Sequence, residues 1–202
     1  MKSVRKMSRA GIVMLLCLSM LCCVASADTW VFPDVPDGAP YEEAVLTLAE
    51  LGVITGDNYG NFNPDKTITR AEAATIICRL LGAEYEAKAM TKVVFSDVPA
   101  KHWAVGYVAK AVELGIISGY GNGKFGPADP VTQEQMVKML VCAWGYGDYA
   151  LELGGWPRGY VAVAEELGMI ESAEGISSAQ AKRSLVAEWC YNILFLDTYV
   201  EG

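Results

Sequence analysis

The sequence predicts an all-α fold assembled from three helix–loop–helix repeats, and two observations carry that prediction. The first is internal repetition in a fixed register of 63 residues. Phe32-Pro-Asp34-Val35 returns as Phe95-Ser-Asp97-Val98, and Leu51-Gly-Val-Ile-Thr-Gly56 returns as Leu114-Gly-Ile-Ile-Ser-Gly119. Asn61-Phe62-Asn63-Pro64 becomes Lys124-Phe125-Gly126-Pro127, and Thr69-Arg-Ala-Glu72 becomes Thr132-Gln-Glu-Gln135. A more worn third copy follows at a shift of 53, matching Tyr107-Val108-Ala109 to Tyr160-Val161-Ala162 and Leu114-Gly115 to Leu167-Gly168. The second observation is apolar spacing of helical period inside each block, broken by clusters of turn formers. Each copy is one structural unit that needs its neighbours to bury a core.

Residues 1–27 read as a secretion leader. Lys2, Arg5, Lys6 and Arg9 form a positive start, Gly11 to Val24 is apolar, and Ala25-Ser26-Ala27 offers a small-residue cleavage site. The apolar run is short for a membrane span, which needs about 20 residues, so no stable membrane insertion is expected after cleavage. Cys22 and Cys23 raise a lipoprotein alternative, but Leu21 stands where a small residue belongs. Loss of the leader takes four of the 16 Lys+Arg and none of the 24 Asp+Glu, leaving 12 against 24 and a net charge near −12. That charge argues against nucleic acid or an anionic lipid surface as the main partner. Any bound polyanion must meet local basic sites.

The first repeat spans residues 28–82. Ala44, Val45, Leu48 and Ala49 place a helix over Tyr41 to Leu51, and Gly52 follows as its stop. Asp57, Asn58, Gly60, Asn61, Asn63 and Pro64 make the next stretch a loop. Thr69 with Glu72 is a capping box, and Ala73, Ile76, Ile77 and Leu80 give the second helix its apolar face. Residues 83–94 are expected as a linker and 95–145 as the second repeat. There Thr132 and Gln135 reproduce the box ahead of Met136, Val137, Leu140, Val141 and Trp144. Residues 146–202 hold a second linker (146–155), the third repeat and a tail. The last helix buries Leu185, Val186, Trp189, Ile193 and Leu194. Cys78, Cys142 and Cys190 each sit among apolar neighbours in a second helix. They read as buried small side chains or, alternatively, as two copies joined by a disulfide.

This arrangement resembles the S-layer homology domain, a repeat of bacterial surface proteins that usually occurs in threes. The resemblance covers residues 30–196. It is carried by the Phe-x-Asp-Val openings, His102-Trp103-Ala104, Leu-Gly-(Val/Ile)-Ile-x-Gly, Gly-x-Phe-x-Pro at 60–64 and 123–127, and Ile68-Thr-Arg-Ala-Glu72. It implies a pseudo-threefold spindle around a central helical bundle. It also implies an exported protein of the cell wall or surface layer, attached non-covalently to secondary cell-wall polysaccharide bearing pyruvate ketals, or to a modified peptidoglycan.

Candidate binding residues follow from that chemistry. Arg70 is expected at the first position of its helix, where unpaired amides and the positive dipole end favour a carboxylate. Its guanidinium fork would match both carboxylate oxygens, unless it pairs instead with Glu42 or Glu43. Thr69 stands beside it. Gln133 replaces the arginine in the second copy without its charge. In the third copy Arg183 aligns, but Ser177 and Gln180 offer an earlier capping box that would leave Arg183 inside the helix. Trp103, matched by Trp156, either stacks on a sugar or is buried between units. Gly56 and Gly119 mark loops whose backbone lines a groove or merely turns. The expectation is an anion site in the first copy, a neutral saccharide-compatible site in the second, and a third copy with a broken helix start.

Other chemistries find little support. Asn61, Asn63, Asp65, Thr67, Thr69 and Glu72 fall in a calcium-loop rhythm, but Lys66 stands where the sharp turn needs glycine. His102 is the one histidine, so a histidine-rich metal site and a Ser–His or Cys–His nucleophile have nothing to build on. Neither a cofactor nor a catalytic residue is expected, and the chain reads as no enzyme. The alternatives are a self-associating structural surface-layer component and a wall-active enzyme.

Overall fold

The computed structural model describes residues 32–196; the expected leader and the last residues of the tail lie outside them. Among the described residues there are eight α-helices, one short 3-10 turn and no strand. The long second helices of the copies are α2 (Arg70–Leu80), α5 (Gln133–Ala143) and α8 (Arg183–Ile193). The first helices are α1 (Glu42–Glu50), α4 (Val105–Glu113) and α7 (Arg158–Glu166). Both capping boxes form: Thr69 and Thr132 accept the N3 amides, and the Glu72 and Gln135 side chains reach back to the cap amides.

The expected linkers are not plain connections, which corrects the reading of 83–94 and 146–155. They carry the short helices α3 (Glu84–Ala89) and α6 (Gly147–Glu152). Each is packed against the following first helix through a backbone contact that only glycine permits. A Cβ on Gly106 would collide with the Ala87 carbonyl, and one on Gly159 with the Ala150 carbonyl. Six residues are too few for a helical period to show in sequence.

The copies interlock in a cycle. First helix α4 packs on α2 of the copy before it, α7 packs on α5, and α1 closes the cycle on α8. At the starts of the second helices, three equivalent buried residues form a ring of backbone bonds. Ile68 N donates to Ala181 O (3.1 Å), Ala181 N to Val131 O (2.9 Å), and Val131 N to Ile68 O (3.0 Å). The apolar faces meet in one core that includes Leu48, Ile77, Val108, Leu140, Val163 and Ile193. The four face residues expected of α5 and Trp144 at its C-cap are all buried, while Leu185 of α8 and Leu194 at its C-cap are only partly so. Cys78 and Cys190 are buried and Cys142 half-buried, and all three are free thiols.

The repeated motifs serve each other. The Asp34 carboxylate accepts the amides of Phe62 (2.7 Å) and Asn63 (2.6 Å), and Asp97 accepts those of Phe125 and Gly126 (both 2.8 Å). In the first two copies the opening motif thus clamps its own Gly-x-Phe-x-Pro loop, with Phe32 against Phe62 and Phe95 against Phe125. Burial pushes the Asp97 carboxyl up, but the two amides outweigh it and hold the group below its ordinary range. The clamped loop then stands beside the helix start of a different copy.

Candidate functional site

The helix starts are already occupied by protein. Arg70 N donates to Asp129 O (2.9 Å) and Ala71 N to Pro127 O (3.1 Å), while Glu72 N is taken by Thr69 Oγ1. Gln133 N and Glu134 N bond Ala179 O and Ser177 O in the same manner, and Arg183 N and Ser184 N bond Lys66 O and Pro64 O. The expectation of open amides at Arg70 is therefore corrected: the loop of the next copy spends them. Thr69 is engaged in its cap, with its hydroxyl turned to Glu72.

The side chains at these starts also reach across copies. Arg70 lies buried, with Nε donating to Phe125 O (2.8 Å) and Nη2 to Ser118 O (2.9 Å), and its guanidinium sits over the Phe125 and Tyr120 rings. These are carbonyls of the second copy, so pairing with Glu42 or Glu43 is not what holds it. Arg183 repeats the arrangement on the first copy, with Nε donating to Phe62 O (2.7 Å), Nη2 to Thr55 O (2.9 Å), and the guanidinium over Phe62. Arg183 is the first residue of α8, not an interior one, which corrects the expected helix start at Ser177. Burial lowers the pKa of both arginines, partly offset by nearby acids such as Asp129 for Arg70 and Glu72 for Arg183. Both remain cations at any working pH. Gln133 makes the third link with the opposite polarity: its Oε1 accepts from Ser177 N (3.1 Å) and Ser177 Oγ (3.3 Å).

Two matching grooves result. Groove 1, about 250 Å³, is lined by Thr55, Gly56 and Asp57, by Glu72 and Thr75 of α2, by Trp103 and by Arg183. Groove 2, about 300 Å³, is lined by Ser118, Gly119 and Tyr120, by Gln135 and Lys138 of α5, by Trp156 and by Arg70. Each combines a loop and helix of one copy, a tryptophan of the next and an arginine of the one before. Trp103 and Trp156 are 60% and 49% exposed, so burial between units is not their role. Gly119 fits because a Cβ there would lie 2.5 Å from both Lys124 O and Phe95 Cε1.

A third groove of about 290 Å³ differs. It is lined by Pro40, Glu43, Glu171, Glu188 and Trp189, with no arginine or lysine. Burial, and next Glu171, raise the Glu188 carboxyl above its ordinary range. Of the expected residues, the structure thus brings Gly56, Trp103 and Arg183 together in groove 1 and Gly119 and Arg70 in groove 2. Thr69 and Gln133 line neither. Sequence reading missed Lys138, although its register with Thr75 was visible in the 63-residue repeat. His102 accepts the Ala104 amide through Nδ1 (3.1 Å) and shapes the turn before α4. No group of metal-ligating side chains occurs among the described residues, nor a helix long and apolar enough to cross a membrane.

A closed cycle of short helical units with charged grooves at their junctions defines a repeat-built helical module. The S-layer homology domain matches residues 31–74 and 94–137, and the chain is an S-layer homology domain protein over those two copies. It is 37% identical over 166 residues to the "Cell surface protein" of Thermoanaerobacter kivui, covering 81% of this chain and 21% of that protein. It is 40% identical over 141 residues to the "Surface-layer 125 kDa protein" of Lysinibacillus sphaericus, covering 66% and 12%. A third similar protein, 35% identical over 132 residues, is an "Endoglucanase" of a Bacillus species, with 65% of this chain matched to 12% of the enzyme. The chain therefore spans about a fifth or less of these relatives. The domain match and the surface proteins among the relatives indicate a secreted protein of the cell surface or cell wall and support an anchoring role.

Proposed function

We propose that the chain is a non-covalent cell-wall anchoring module, its copies forming a pseudo-threefold spindle, that binds pyruvylated secondary cell-wall polysaccharide through grooves 1 and 2. The observation that carries this reading is the doubled construction: an arginine fixed by loop carbonyls faces a half-exposed tryptophan across a cavity of saccharide size. The guanidinium keeps Nη1 for a ketal carboxylate after Nε and Nη2 are spent, and the indole face suits a pyranose ring. Two weak sites on one polymer chain raise avidity by about 10²–10⁴, so modest affinity per groove is enough. This reconciles an acidic protein with an acidic glycan, because the positive charge is local. No catalytic role is assigned to the grooves, and the self-associating alternative draws on no specific observation.

Retention on purified sacculi tests the proposal, before and after removal of the pyruvylated polymer. Binding should fall on stripped walls, and a Trp103→Ala, Trp156→Ala double variant should be released even from intact ones. Equal retention of the wild type on stripped walls would sink the reading. Light scattering on the cleaved protein should report a monomer.

A further inference from the structure

One position on the second helices distinguishes the three grooves. Thr75 of α2 recurs as Lys138 of α5 and as Glu188 of α8, and each lines its own groove. Thr75 is neutral and turned inward, its hydroxyl donating to Ala71 O at 2.9 Å. Glu188 places a carboxyl beside Glu171 in groove 3. Lys138 lies 5.7 Å from the Trp156 ring centre and 5.4 Å from that of Tyr160, and it makes no ion pair among the described residues. Aromatic faces orient an ammonium without neutralising it.

The rest of each lining points the same way. In groove 1 the positive charge meets carboxylates: Asp57 and Glu72 line it beside Arg183, Lys66 pairs with Glu72 at 3.4 Å, and Arg79, also in the lining, is held by Glu84 at 2.9 Å. In groove 2 Tyr120 stands at the Asp57 position and Gln135 at that of Glu72, so its lining has two cations and no carboxylate. Resting on the cell-wall reading above, we propose that groove 2 is the principal carboxylate-binding groove, with Lys138 beside Arg70 as the residue that sets its preference for an anionic sugar, and that groove 3 excludes such ligands. An approaching carboxylate displaces water from an ammonium held against Trp156, which is also the surface on which the sugar ring stacks.

Each groove contains one tryptophan: Trp103, Trp156 and Trp189 in turn. Indole N–H signals of the isotope-labelled protein therefore read the grooves separately, with Trp144, which lines none of them, as control. The probes are the pyruvate ketal of methyl N-acetylglucosaminide and its neutral methyl ester. The Trp156 signal should saturate with the acid at the lowest concentration while Trp189 stays still. Lys138→Gln should weaken the Trp156 response to the acid about tenfold, leave its response to the ester and the Trp103 curve unchanged, and be rescued by Lys138→Arg. An unchanged Trp156 curve in Lys138→Gln, Trp103 saturating first, or Trp189 moving in parallel overturns the inference while anchoring through the grooves still stands. Silence at every tryptophan overturns the cell-wall reading and the inference with it.

Discussion

Replacing Arg183 by methionine separates a structural wedge from a merely solvated helix-start residue. The guanidinium gives two charge-assisted hydrogen bonds, to Phe62 O at 2.7 Å and Thr55 O at 2.9 Å. Such bonds are worth about 1.5–3 kcal/mol each, and the guanidinium over Phe62 adds about 0.5–1. Thr55 is exposed and its carbonyl can turn to water, whereas Phe62 is buried and its carbonyl cannot. Methionine restores most of the apolar stem, so the expected loss is about 3 kcal/mol. Arg183→Lys keeps the charge but cannot serve both carbonyls, and should cost about half as much. Gln133→Met removes only neutral bonds of 3.1 and 3.3 Å to exposed Ser177, which predicts about 0.5–1 kcal/mol. Urea unfolding followed by circular dichroism and fluorescence gives the three values, provided the probes coincide and m is unchanged. A loss under about 0.5 kcal/mol for Arg183→Met, or equal losses for it and Gln133→Met, would refute the wedge argument.

Two further predictions concern the junctions and their pH dependence. Gly119→Ala forces a Cβ to within 2.5 Å of Lys124 O and Phe95 Cε1; overpacking of this kind costs about 1–3 kcal/mol, a drop of roughly 4–8 °C in Tm for a 2 kcal/mol loss. Gly175→Ala meets nothing within 4 Å and should be neutral, so equal melting of the two variants would contradict the close approach. Glu84 is the acid test: burial raises its carboxyl, but donation from the Tyr107 hydroxyl, Lys88 and Arg79 prevails and holds it at about 2, against an ordinary 4.5. A depressed carboxyl contributes stability that is complete above the unfolded value and is lost as pH falls from about 4.5 toward 2. The full shift corresponds to about 3.4 kcal/mol, which screening at a side chain 33% exposed reduces to the order of 1–2 kcal/mol. The stability gap between wild type and Glu84→Gln should therefore close between pH 4.5 and 2.5, and a gap constant with pH would count against it.

The local parts of this fold were legible because their causes lie within a few residues. Thr69 and Glu72 satisfy each other's backbone three positions apart, and the box forms as read. What escaped was the assignment of arginines to loops. Arg70 bonds carbonyls 48 and 55 residues ahead, and Arg183 reaches 121 and 128 residues back, separations that no local pattern encodes. The false helix start at Ser177 failed for the same reason. Its hydroxyl donates to Gln133 and accepts from Ala179 N, while Gln133 N takes Ala179 O and Ala181 N takes Val131 O. The segment is drawn into extended pairing with the second copy, so the helix begins only at Arg183.

This offset changes the meaning of the imperfect copies. A substitution at one helix start is felt in the groove of the following copy, so Gln133 does not weaken the second groove; it accompanies the third. The Arg70 and Arg183 fork donates and requires carbonyls facing it, which the clamped Phe62 and Phe125 loops supply. The third loop has no Gly-x-Phe-x-Pro and presents Ser177 N–H and hydroxyl instead, so a side chain that accepts is required, and Gln133 accepts. A guanidinium there would meet the Ser177 N–H donor to donor and could not replace the bond that Gln133 accepts from it. The short loop, the neutral glutamine and the acids Glu171 and Glu188 are thus parts of one junction that holds the copies together without an arginine or lysine in its groove, while the grooves of the other two junctions each keep an arginine.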